Sequence, residues 1–75
     1  MERSAVIVET VIRDMAAIRK DKGLSHEALG QAARLHRTTI GQIEAGKIQP
    51  TLLTCLKIAR ALDIDLGAII SKAQL

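Results

Sequence analysis

Seventy-five residues make one small domain, too short for both a scaffold and an elaborate catalytic pocket. Eleven basic against eight acidic side chains leave a net charge of +3, which permits an acidic partner such as nucleic acid without requiring one. Hydrophobic residues at 48% with a single proline exclude a disordered tail, and the absence of Phe, Tyr and Trp removes the stacking platform on which single strands and RNA bind.

The N-terminus carries Glu2, Glu9 and Asp14 and no long apolar run, so it does not read as a signal peptide. Val8, Val11, Ile12, Met15 and Ile18 recur at spacings of three and four and predict a first helix. Ser4 is a candidate cap for it and Thr10 a later one, and residues 1–7 are left as an N-terminal arm. Lys20 and Lys22 suit the last turn, and Gly23 fits the left-handed position beyond it. Ser25 is a good N-cap for a second helix, with Glu27 in its first turn.

Between Ser25 and Gly46, periodicity permits one long helix. Leu29, Ala33, His36, Ile40 and Ile43 fall within a narrow stripe, but Leu35 would point ~120° away from it. A break at Arg34-Leu35 turns Leu35 inward and starts a new helix near His36, giving two short helices joined by a tight turn. No glycine stands at that turn, and left-handed geometry at another residue costs roughly 1–2 kcal/mol. The pattern alone leaves both arrangements open.

Gly46 ends the third segment. The longest uncharged stretch, Ile48 to Leu56, spans nine residues against the ~20 of a membrane helix, so the chain is read as soluble. Thr51 caps a fourth helix, whose stripe is Leu52, Cys55, Leu56, Ala59 and Leu62. Cys55 is the one cysteine; it excludes an internal disulfide and a cysteine-rich zinc module, leaves a reducing cytoplasm as the default, and on this stripe is a packed thiol. Asp63 or Asp65 starts a last short helix holding Leu66, Ile69 and Ile70. Nothing alternates with a period of two, so the fold class is all α. No metal-ligand spacing, phosphate loop, nucleophile triad or catalytic carboxylate pair is present, so neither an enzyme nor a cofactor is expected.

Gly23-Leu24-Ser25-His26-Glu27-Ala28-Leu29 is similar to the "GLSQEELA" start of the second helix in phage-repressor-type (Cro/repressor) helix-turn-helix proteins. Leu35 to Lys47 resembles their third helix, "LSRSYISRIERGK", and Pro50 to Leu62 the following "PSLETLLKIAKAL". The resemblance runs from about residue 18 to 70. His36-Arg37-Thr38 is also similar to controller proteins of restriction–modification systems. Two departures stand out: Arg34 where the family has glycine at the turn, and His26 where it has glutamine.

The resemblance implies a compact five-helix bundle that binds double-stranded DNA and regulates transcription, with the third helix (about 36–45) in the major groove. Arg37, Thr38, Gly41 and Gln42 then face base edges: Arg37 can pair with guanine and Gln42 with adenine, while Gly41 allows close approach. Without the resemblance this face is an ordinary solvated one. His26, Thr39, Lys47 and Gln49 are the expected contacts to the DNA backbone, which hold register and read no sequence. Arg19 and Glu44 correspond to a partly buried salt bridge between the first and third helices.

Leu66, Ile69 and Ile70 are expected at the interface of a homodimer, which would place two third helices about 34 Å apart on a palindromic operator. RNA polymerase, blocked or recruited, is a further partner of such a regulator. Two rival readings are an antitoxin that reserves an apolar surface for its toxin, and a helical adaptor that never touches DNA.

Overall fold

The computed structural model describes residues 2–75, and those residues form five helices and no strand. They are α1 (Arg3–Asp21), α2 (His26–Ala33), α3 (Arg37–Glu44), α4 (Leu52–Ala61) and α5 (Leu66–Ala73). Apart from α1 each has ten residues or fewer, too short to persist alone in water, so packing must hold them.

Side-chain caps fix where the helices start. Ser25 Oγ accepts from the Ala28 amide, Thr51 Oγ1 from Thr54 and Asp65 Oδ1 from Gly67. The first helix begins earlier than Ser4 or Thr10: Glu2 caps it, accepting from the Ser4 and Ala5 amides. Residues 3–7, expected within an arm, are therefore helical, and Met1 lies outside the described residues. Asp63 does not start α5; it has a φ of +58° and ends α4.

Four helix ends share one device. The amides of Leu24, Leu35, Lys47 and Ile64 each donate to the carbonyl five residues back, on Arg19, Gly30, Gln42 and Ala59. This closure needs a left-handed residue just before the donor. Gly23 and Gly46 supply it at φ +70° and +75°, but at the other two ends it is Arg34 and Asp63, both at +58°. The chain thus bends at Arg34, as the break reading requires, and Arg34 takes the strained conformation itself. The glycine this turn cannot do without is Gly30 instead. It is buried, and a Cβ there would lie 2.6 Å from the Leu35 carbonyl oxygen and 3.3 Å from the Arg37 amide nitrogen.

The core is aliphatic. Val11, Met15, Leu29, Ile40, Ile43, Ile58, Ala59, Leu62 and Leu66 pack at its centre, and Leu35 turns in against them. The expected stripe of α4 is shifted: Ile58, Ala59 and Leu62 are buried and Cys55 half-buried, but Leu52 and Leu56 are 68% and 42% exposed. The first turns of α4 thus present leucines to solvent beside the half-buried Cys55. Of the residues expected at a dimer interface, Leu66 lies in the core at 6% exposure, and Ile69 and Ile70 pack half-buried against that core.

Among the described residues, one polar side chain is buried with this core. Arg19 donates from Nε and Nη2 to the two carboxylate oxygens of Glu44 at 2.7 and 2.9 Å, and from Nη1 to the Leu24 carbonyl at 2.7 Å. The fork ties α1 both to the end of α3 and to the turn before α2. Burial by itself would push the Glu44 carboxyl up. Hydrogen bonds from Arg19 and His26 outweigh it and hold the carboxyl below its ordinary value of 4.5.

Three consequences can be measured. Gly30→Ala should lower the melting temperature sharply, because backbone at 2.6 Å cannot move aside without opening the turn. Arg34→Gly should raise stability by up to about 1 kcal/mol in denaturant titrations, and a fall would show that Arg34 bears no strain. Glu44→Gln should cost about 2–3 kcal/mol at neutral pH, less than the ~3–5 of a fully buried pair because the carboxylate is partly solvated. Since the folded carboxyl is the more acidic one, the ion-pair contribution is complete above pH 4.5 and fades as pH falls through the folded value. Acid titrations of wild type and Glu44→Gln should accordingly converge at low pH.

Candidate nucleic-acid interface

The bend at Arg34 aims α3 outward on one side of the molecule. Ile40 and Ile43 anchor it in the core, and its other face is left to solvent. His36 caps its start: Nδ1 accepts from the Thr38 amide at 3.1 Å, so the imidazole proton sits on Nε2. The C-terminal end is fixed by Glu44 through Arg19. An eight-residue helix is thereby held rigidly at both ends.

Along that face runs a shallow concavity of about 290 Å³ lined by His26, Arg37, Thr38, Gly41, Gln42, Ala45 and Lys47. All four residues expected to read base edges are here, together with His26 and Lys47 from the expected backbone set. Thr39 and Gln49 do not line it: Thr39 is half-buried on α3 and Gln49 is exposed in the loop before α4. Gly41 and Ala45 leave the middle of the helix low, so a partner surface can come close to the backbone.

Electrostatically the concavity is cationic, with Arg37 and Lys47 on its rim. Arg37 is exposed, and its Nη1 lies 3.8 Å from Glu27 Oε2 on α2. Glu27 did not stand out in the sequence except as a first-turn acid. Its present place beside Arg37 follows from how the turn packs α2 against α3. Such an exposed pair adds little stability, but it biases where the guanidinium rests.

His26 also has a partner that its spacing in the sequence did not disclose. As the first residue of α2 it reaches across to α3, where Nε2 lies 3.1 Å from Glu44 Oε1. An ionised carboxylate can only accept, so Nε2 carries the hydrogen and donates it. The ring edge bearing Nδ1 lies over Gly41, 3.5 Å from where a Cβ would be. Its side chain is 42% exposed, on the wall of the concavity.

The residues described contain no helix long and apolar enough to cross a membrane. The profile of the helix-turn-helix family matches residues 15–69. Over 66 residues the chain is 35% identical to an immunity repressor protein of Bacillus phage phi105, covering 88% of this chain and 46% of that protein. It is 31% identical over 74 residues to the HTH-type transcriptional regulator SutR of Escherichia coli K12, covering 99% of this chain and 40% of the regulator. It is 30% identical over 69 residues to the control protein C.SmaI of Serratia marcescens, covering 92% of this chain and 82% of that protein. The chain thus spans less than half the length of the first two relatives and most of the third. A left-handed bend that presents a small-residue helix face, and a match over most of the chain, lead to one assignment: this chain belongs to the phage-repressor-type (Cro/repressor) helix-turn-helix family of transcriptional regulators.

Proposed function

We propose that the chain binds a palindromic double-stranded operator as a homodimer, with α3 in the major groove. The observation that carries this reading is the single concavity joining Arg37, Thr38, Gly41 and Gln42 to His26 and Lys47. Side chains able to pair with base edges are there flanked by groups able to hold phosphate, the division of labour a sequence-reading protein needs. Arg37 reads guanine and Gln42 adenine. Thr38 reaches a base edge or a thymine methyl, and Thr39 and Gln49 hold the DNA backbone outside the concavity. No chemical step is involved; occupancy of the operator blocks or recruits polymerase.

The dimer surface we propose centres on exposed leucines of α4 beside a groove that Leu66 and Ile70 line. Leu52 and Leu53 are 68% and 63% exposed, and Leu56 lies beside them on α4. Leu52 also borders an apolar groove of about 260 Å³ between α1, α4 and α5, to which Ile70 contributes. A two-fold contact must bury one patch against its own copy, and this is the largest exposed cluster of leucines on the described residues. The same patch would serve a toxin partner in an antitoxin, and that reading predicts a second small protein in the purified complex.

Selection of bound duplexes from a random pool, read for a palindrome, tests the reading as a whole; recovery of no preferred sequence overturns it. Arg37→Ala should cost about 1–3 kcal/mol on the selected site and nothing comparable on random duplex, measured by anisotropy titration. Lys47→Ala should weaken every duplex alike and lower the slope of log K against log salt by about 1. Leu53→Glu should leave the melting temperature nearly unchanged yet shift the protein to monomer in sedimentation. A dimer that survives this change would remove α4 from the interface.

A further inference from the structure

We propose that His26 couples DNA binding to proton uptake: Nδ1, on the ring edge that faces Gly41 in the concavity, gains a proton from solvent and shares it with a phosphate oxygen, while Nε2 stays on Glu44. The inference rests on the DNA-binding reading above and adds a regulatory device to it.

The geometry supports each half. Nε2 is committed to Glu44 at 3.1 Å, which fixes the ring and leaves Nδ1 as a bare acceptor in the neutral form. No side chain stands at Gly41, where a Cβ would come within 3.5 Å of Nδ1. His26 and Gly41 line the same concavity as Arg37 and Lys47. A neutral Nδ1 can only accept and so cannot bind a phosphate oxygen; a protonated one donates to it with a full charge.

The charges around the ring make protonation conditional on DNA. On α3 and the loop after it, Arg37 and Lys47 share the concavity and oppose a third cation. Glu44 favours it, but that carboxylate is already forked by Arg19 of α1, which largely cancels its charge. Glu27, next to His26 on α2, lies toward Arg37. A phosphate placed over the concavity tips this balance, so binding draws in a proton. By reciprocity, lower pH tightens binding.

The other histidine predicts the opposite sign. His36 Nδ1 accepts from the Thr38 amide, so protonating it removes the cap of α3 and should weaken binding. The two are thus separable by experiment.

Anisotropy titrations would use a duplex recovered from a random pool, at constant salt, between about pH 5.5 and about pH 8. The titrations are run on His36→Asn, which keeps a capping oxygen and removes the opposing dependence. This protein should bind about five- to tenfold tighter at the acid end. Calorimetry in two buffers of different ionisation heat should show net proton uptake. Adding His26→Gln, which can still donate to Glu44, should flatten the pH profile and abolish the uptake, its fold checked by an unchanged thermal melt. Equal binding by His36→Asn across the range overturns the inference and leaves DNA binding intact, as does a pH dependence that survives the added His26→Gln. Failure of wild type to bind any duplex at any pH overturns both.

Discussion

Glu44 is the point on which the orientation of α3 depends. Its two oxygens take two hydrogen bonds from Arg19 and one from His26, so three helices meet on one carboxylate. Arg19 spends its remaining contact on the Leu24 carbonyl at the close of α1. A small domain built from eight-residue helices has little packing to spare for angular precision. A planar fork on a partly desolvated carboxylate supplies it, because its geometry tolerates little tilt. The same carboxylate fixes the ring of His26, so the scaffold and the candidate binding surface share an atom.

The turn is held by steric fit more than by conformational ease. Arg34 adopts a left-handed backbone that a side chain resists, and the chain accepts this because Leu35 is thereby delivered to the core. The close approach that follows puts the Leu35 carbonyl where any side chain at position 30 would stand. Burial of aliphatic groups around Leu29 and Ile40 drives the arrangement, and hydrogen bonds at the helix ends prevent orphaned backbone groups from opposing it.

The surface divides by chemistry. Around α3 the side chains are small, polar or cationic, suited to close approach and to an anionic partner. The first turns of α4 instead expose leucines beside an apolar groove, a surface that water covers poorly. The two lie on different helices, so neither surface crowds the other. Cys55 lies on the wall of the apolar groove, where burial pushes its thiol up and keeps it a packing group.

Much of this was legible in one dimension. Helix periodicity, the caps at Ser25, Thr51 and Asp65, and the glycines at 23 and 46 are local signals with local causes, and motif likeness placed Arg37, Thr38, Gly41 and Gln42 on one face. Three things were not local. Whether α2 and α3 were one rod or two depended on the core gaining Leu35 more than Arg34 lost in strain. Which leucines of α4 and α5 were covered depended on how the helices pack, so Leu66 was buried and Leu52 was not. The partner of His26 lies eighteen residues away on another helix, a contact that no spacing rule encodes and only packing creates.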